Sequence, residues 1–201
     1  MIKISAQSAI NGCFWAALLL ATSTPALANW SVTWLPATRA VDINDSGQVT
    51  GTEGGFFGEP FMAYLTGPDG LGFTDLGTLG GIDATALAIN DSGQIAGKSG
   101  TASEQFHAYI TGANGVGMAD LDLAGEDFSN RTIEAMNSSG QLTGAIQDDI
   151  NEQERAYITG ADGRNMTPLD TLGGSSSSAS DINNSGQVAG KSDTPSGNFH
   201  A

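Results

Sequence analysis

The residues best placed to do chemistry begin at position 42, in the stretch DINDSGQVTGTE (42–53). Asp42, Asn44, Ser46, Gly47 and Glu53 occupy the first, third, fifth, sixth and twelfth positions of an EF-hand-like loop, which is what a hard calcium ion asks for. The match decays in three related stretches. One starts with Ala88 and ends in Ser99, one runs from Ala135 to Ile146, and one keeps Asp181, Asn183 and Ser185 but ends in Ser192. Calcium depends above all on the closing carboxylate, and only Glu53 supplies it. Asn, Asp, Ser and Gly are also the residues a tight hairpin prefers, and the flanks read as strands where an EF-hand has helices. The turn reading is therefore favoured. A calcium site, if one forms, is confined to Asp42, Asn44, Ser46 and Glu53, and no other cofactor is expected.

The remaining reactive side chains are weaker candidates. His107 and His200 are the only histidines, and they occupy equivalent places where other copies carry Met62 and Arg155. A residue that recurs with substitutions reads as a strand position rather than a catalytic one, and two histidines without paired cysteines give no zinc spacing. No G-x-S-x-G elbow is present. GGSSSSAS (173–180) is a polar link without a neighbouring histidine. Asp120 with Asp122, or Asp148 with Asp149, could act as a glycosidase pair, but a chain with 22 acidic residues contains such pairs by chance. The glycines of GTLGG (77–81) precede no crossover helix and form no phosphate loop.

What positions all these residues is a repeat. The motif glycines Gly47, Gly93, Gly140 and Gly186 are spaced by 46, 47 and 46 residues. FMAYLTG (61–67), FHAYITG (106–112), ERAYITG (154–160) and a final NFHA (198–201) keep the same order, as do DLGTLGG (75–81), DLDLAGE (120–126) and LDTLGG (169–174). A period of this size marks arrays, solenoids or propellers. Taken from AYITG onward, a unit reads as a strand, then a GPDG, GANG or GADG turn with the Asp-Gly or Asn-Gly signal of a tight hairpin. A second strand, a glycine-rich link, a third strand, NDSG and a fourth strand follow. Ala63, Ala108 and Ala156 recur where neighbouring sheets would approach closely.

The expected fold is all-β, a β-propeller-like array of four-stranded antiparallel blades with a period of about 46 residues. A two-coil β-solenoid is the rival architecture, and the paired hairpin turns argue against it. Helix is expected to be scarce, because no segment keeps a 3.6-residue apolar period. The units fall near 29–58, 59–103, 104–150 and 151–195, with a further one starting at 196–201. The chain stops at GNFHA, where two earlier units continue into the YLTG or YITG strand, which suggests an incomplete ring in a truncated reading frame. A closed ring of four blades is the alternative.

Residues 1–28 carry Lys3, an apolar run near Cys13–Ala21, and Ala26-Leu27-Ala28 ahead of Asn29. This is the layout of a secretory signal peptide, with an apolar run too short to span a bilayer. Cys13 is the only cysteine, so the exported part must hold together without disulfides. All 22 acidic residues follow the leader, and the full-chain net charge is −15. Such a surface repels nucleic acid and anionic lipid.

The ordered set FHAYITG, DLGTLGG and AxAINDSGQIAGKS resembles the HAF-type extracellular repeat family of bacterial exported proteins. The His-Ala-Phe signature of that family stands here as His107-Ala108-Tyr109. The likeness runs through residues 30–201 and is tightest over 61–112. It implies secretion and a propeller-like repeat domain, and it carries over no catalytic residues. The functional expectation is a non-catalytic secreted, periplasmic or cell-surface repeat protein that presents a surface to an extracellular polysaccharide or envelope protein. The alternative is a propeller enzyme acting on glycans through carboxylates clustered between blades.

Overall fold

A computed structural model describes residues 16–22, 29–35, 39–55, 58–121, 132–147 and 153–201. Most of the leader, including Cys13 and the expected cleavage point, lies outside the described residues, as do Asp122, Asp148 and Asp149. Two leading strands, β1 (Ala16–Thr22) and β2 (Asn29–Leu35), pair antiparallel in a sheet of their own.

The rest is a succession of antiparallel sheets in which each strand pairs with the next in sequence. The first sheet holds β3 (Arg39–Ile43), β4 (Val49–Gly54), β5 (Phe61–Leu65) and β6 (Thr74–Asp75). The second holds β7 (Gly80–Ile89), β8 (Ile95–Thr101), β9 (Phe106–Thr111) and β10 (Met118–Asp120). The third holds β11 (Ala135–Met136), β12 (Leu142–Gln147), β13 (Glu154–Ile158) and β14 (Thr167–Pro168). The fourth has three strands, β15 (Ser177–Ile182), β16 (Val188–Asp193) and β17 (Phe199–His200). The described residues contain no α-helix, only three short 3₁₀ turns.

Hydrogen bonding sets the phase that a period alone leaves free. NDSG joins the first strand of a sheet to its second, and the Asp-Gly or Asn-Gly turn joins the third to the fourth. The TLGG link is the passage from one sheet to the next. Units cut at 59, 104 and 151 therefore each combine the second half of one sheet with the first half of the following one. The two turns of a sheet then meet at the same end: Gly70 N–H donates to Gly47 O (3.2 Å), and Gly115 N–H to Gly93 O (2.9 Å). Asp69, Asn114 and Asp162 lie at φ +66°, +54° and +62°, each followed by a glycine that is also left-handed. That is the backbone of a type I′-like turn, and it is why Asp-Gly and Asn-Gly stand there.

A single close approach defines each second strand. A Cβ added to Gly51, Gly97 or Gly190 would collide with the carbonyl oxygen of Arg39, Thr85 or Ser178 on the first strand, and one added to Gly144 with that of Thr132, just ahead of β11. In the first three sheets a fully buried tyrosine, Tyr64, Tyr109 or Tyr157, stands directly opposite that glycine. Tyr64 Oη and Tyr157 Oη donate to Arg39 O (3.3 Å) and Thr132 O (2.7 Å), whereas Tyr109 Oη has no hydrogen-bond partner. Burial, with the Glu53 charge, pushes Tyr64 up to about 12, and burial alone raises Tyr109 further. Burying each ring contributes about 2–3 kcal/mol.

The core lies between sheets. Ala63 and Leu65 of the first sheet pack with Ala84, Ala86, Ile89, Ile95 and Tyr109 of the second. Ala96, Ala108 and Ile110 of the second pack with Leu142 and Tyr157 of the third. The small residues at 63 and 108 let the sheets close up, as their recurrence suggests. The second and third sheets thus each bury a leading face against the next sheet and a trailing face against the one before.

Candidate functional site

The first strands of all four sheets line one groove. Its broader part has a volume of about 480 Å³ and is bounded by Arg39, Asp42, Leu87, Glu134 and Asp181. A second part of about 280 Å³ lies at the NDSG turns, beside Asn44, Asn90, Asn137 and Asn183. A register shift between Ala40 and Asp42, repeated between Ala86 and Ala88 and between Ala179 and Asp181, marks a β-bulge in three first strands. The extra residues Val41, Leu87 and Ser180 all reach the groove wall. Bulges of this kind re-aim side chains.

The turn asparagines are the main architectural feature of the groove. Asn44 Oδ1 accepts from the backbone N–H of Ser46 (3.1 Å) and Gln48 (3.0 Å), while its Nδ2 donates to Gln48 Oε1 (2.8 Å). The same three bonds recur at Asn90, Asn137 and Asn183. Nδ2 also reaches across to the next sheet. Asn44 donates to Asn90 O (3.1 Å), Asn90 to Asn137 O (3.2 Å) and Asn137 to Asn183 O (3.1 Å). A second bond runs alongside in two steps: Asp45 N–H donates to Asp91 Oδ1 (3.0 Å), and Ser138 N–H to Asn184 Oδ1 (2.9 Å). The sequence reads these asparagines as turn formers, with Asn44 also a calcium candidate, and not as links between sheets. The available signal was the pairing Asn-x-x-x-Gln, which is present in all four copies.

The calcium candidates are distributed differently from a cation loop. Asp42 Oδ1 accepts from Ile43 N–H (2.8 Å), and Oδ2 from Ile89 N–H of the second sheet (2.9 Å). Asn44 Oδ1 is taken by the turn, and Ser46 is exposed. Asp42 pairs with Thr50, so Glu53 lies three residues further along β4, about 10 Å away. Its carboxyl is raised above the usual range by burial and by the charges of Asp75 and Glu59. Asp42 and Glu53 are thus held apart, and no group of three or more acidic, histidine or cysteine side chains among the described residues is arranged to hold a metal ion.

His107 Nδ1 lies 2.8 Å from Asp120 Oδ2 on the exposed side of the second sheet. Ser99 is paired with His107 across β8 and β9, but its hydroxyl serves the backbone: it accepts from Leu79 N–H (2.9 Å) and faces Asp83 O (3.3 Å). Ser192 opposite His200 repeats that pattern. The serine is structural in both copies.

A family model described as Protein of unknown function (DUF3466) matches residues 80–198. The chain belongs to this family. None of the curated proteins matches the sequence. Among solved structures, the crystal structure of TolB from Acinetobacter baumannii is similar to this DUF3466 chain, with a TM-score of 0.59 at 10% identity. The similarity covers 91% of this chain and 44% of that one, so the DUF3466 chain spans less than half of the TolB length. A likeness at this identity concerns the fold, which is all-β and propeller-like. No helix among the described residues is long and apolar enough to cross a membrane.

Proposed function

We propose that this DUF3466 chain is an exported, non-catalytic repeat protein of the HAF type. In this reading the groove along its first strands binds an extracellular polysaccharide, with an envelope protein as the alternative partner. The periplasm or cell surface is its place of action, and residues 1–28 are its leader. The observation that carries the reading is the use made of the polar groups. Asn44, Asn90 and Asn137 spend their amides on turn and inter-sheet bonds, and Asp42 spends its carboxylate on two backbone N–H groups. Groups committed in this way shape a surface and are poorly free to move protons.

The test is co-sedimentation of the full chain with a panel of defined insoluble polysaccharides, alongside an assay for released reducing ends. Binding without release, weakened by Val41→Arg in the groove wall, is the expected outcome. Binding to no member of the panel would overturn the polysaccharide assignment. Release of reducing ends would instead support a glycan-acting enzyme using Asp42, Glu134 and Asp181, the carboxylates that the groove gathers. The reading includes no cofactor. Calcium titrated into the chain should give no saturable heat; a heat abolished by Glu53→Gln would restore the metal site.

A further inference from the structure

The first strand of each sheet gives the groove one residue that the fold does not prescribe. In the second sheet Ala86 pairs with Gly97 and Ala88 with Ala96, so Leu87 is an extra residue between them. The third sheet does the same: Glu134 N–H donates to Thr143 O (2.9 Å), and the next residue, Ala135, pairs with that same Thr143. Glu134 therefore stands at the place of Leu87, as Val41 and Ser180 do in the first and fourth sheets. All four border the broader part of the groove.

The positions around the bulge have duties in the fold. The residue before it is Ala40, Ala86, Ile133 or Ala179, and the last three of these are buried. After it, Asp42 and Asp181 each accept from the next backbone N–H, of Ile43 and Ile182, at 2.8 Å. Ile43, Ile89, Met136 and Ile182 then lead into the turn asparagines. The bulge position instead changes chemical class, from valine and leucine to glutamate and serine. Neither the Glu134 carboxylate nor the Ser180 hydroxyl bonds another described residue. The second and third sheets are decisive, because each has a neighbour on both sides. Leu87 and Met136 pack on the core between them and also line the groove, which gives it an apolar strip alongside the Glu134 carboxylate.

We propose that the bulge residues are the specificity-determining contacts of the groove, and that they select a polysaccharide free of acidic groups. The C–H faces of its sugar rings lie along Val41 and Leu87, and a hydroxyl or ammonium on a ring edge donates to Glu134. An ionised carboxylate only accepts hydrogen bonds, so Glu134 has nothing to offer a uronate or sulfate and repels it. Asp42 and Asp181 of the same groove add to that repulsion, against one cation, Arg39, among the described lining residues. The inference rests on the groove being the polysaccharide site.

The experiment is co-sedimentation of the full chain with beads carrying cellulose, chitosan or polygalacturonate, which are neutral, amine-bearing and acidic. Cellulose and chitosan should pellet the chain, and polygalacturonate should do so at least about tenfold more weakly. Glu134→Gln keeps the shape of the side chain and should weaken binding about tenfold. A loss confined to chitosan identifies an ammonium as the donor, and an equal loss on cellulose identifies a hydroxyl. Glu154→Gln removes the same charge from an exposed residue outside the groove and should change nothing, which separates recognition from the general attraction of an acidic chain for a polycation. Leu87→Ala should weaken both polymers alike while the far-ultraviolet circular dichroism is kept. Binding that ignores Glu134→Gln, that responds equally to Glu154→Gln, or that favours polygalacturonate would overturn this inference alone. Binding to none of the three polymers would overturn it together with the polysaccharide reading of the groove.

Discussion

Asn90 of the second sheet and Asn183 of the fourth make the same turn with the same three internal bonds, yet one is 5% exposed and the other open to solvent. The second sheet is covered on both faces and the fourth on one. Gly97 packs against the buried Tyr109 ring, whereas the nearest atoms to a Cβ on Gly190 are all backbone, of Ser178 and Ala179. The comparison separates what a unit does alone from what its neighbours add. Turn formation is local, and burial of the polar turn depends on the adjoining sheet. In an array of this kind, stability is a sum of unit and interface terms.

The sharpest way to break that comparison is at the glycines. Gly97→Val drives a branched side chain into Thr85 O and the Tyr109 ring, and should cost about 4 kcal/mol or abolish folding. Gly190→Val meets Ser178 O without a tyrosine behind it and should cost less. Urea unfolding of the two variants checks the order. Equal losses would mean that the tyrosine adds nothing to the constraint.

The asparagines come next. Asn90→Ala strands the N–H groups of Ser92 and Gln94 and Gln94 Oε1, and removes the buried bond to Asn137 O; about 2 kcal/mol is expected. Asn183→Ala loses only the local bonds, with water at hand to replace them, and should cost about 1 kcal/mol. Measured at dilute concentration, similar costs would show that the inter-sheet bond contributes little.

The sequence made the strands, both hairpin turns and the repeated close approach of sheets readable, because each rests on a local chemical requirement: left-handed φ at Asp69-Gly70, or a small side chain at Ala63. Strand phase was not readable, since TLGG could join strands within a sheet as easily as pass between sheets. Nor was the Asn44–Asn90 bond, which exists only once two turns have been brought side by side. The DINDSGQVTGTE stretch has the spacing of a cation loop, but antiparallel pairing carries Glu53 away from Asp42, and spacing along a chain says nothing about that.

Asp193 shows how the fourth sheet stabilises itself internally. The second sheet has Gly100 at this place and instead lends Asp83 to Phe61 N–H of the first sheet (2.8 Å). Asp193 accepts from Ser176 N–H (2.7 Å) and Ser175 Oγ (3.1 Å), and the Ser176 bond leads in holding its carboxyl below the usual range. A depressed native pKa contributes stability that is fully present above the unfolded value of about 3.9 and is lost as pH falls through the native value. Thermal melts of wild type and Asp193→Asn should therefore differ at pH 6 and converge in strong acid. A difference that persists unchanged in strong acid would mean that the charge is not what the serines hold.

The smallest effect expected is at His107. It and His200 stand opposite equivalent serines; His107 has a carboxylate partner, Asp120, and that pair is largely at the surface, with the aspartate side chain 40% exposed. An exposed ion pair contributes at most about 0.5 kcal/mol and is screened by salt. Asp120→Asn should therefore shift stability by about that much at low salt and by less at high salt. It should leave polysaccharide binding untouched, because neither His107 nor Asp120 borders the groove. A catalytic dyad would behave differently: the same change would abolish turnover while scarcely moving stability. Ser99 Oγ accepts from Leu79 N–H and donates to Asp83 O, and Ser192 Oγ does the same with Leu172 and Ser176, so neither serine is set up as a nucleophile for its facing histidine. The Asp120 carboxylate, through His107, ties β9 to β10.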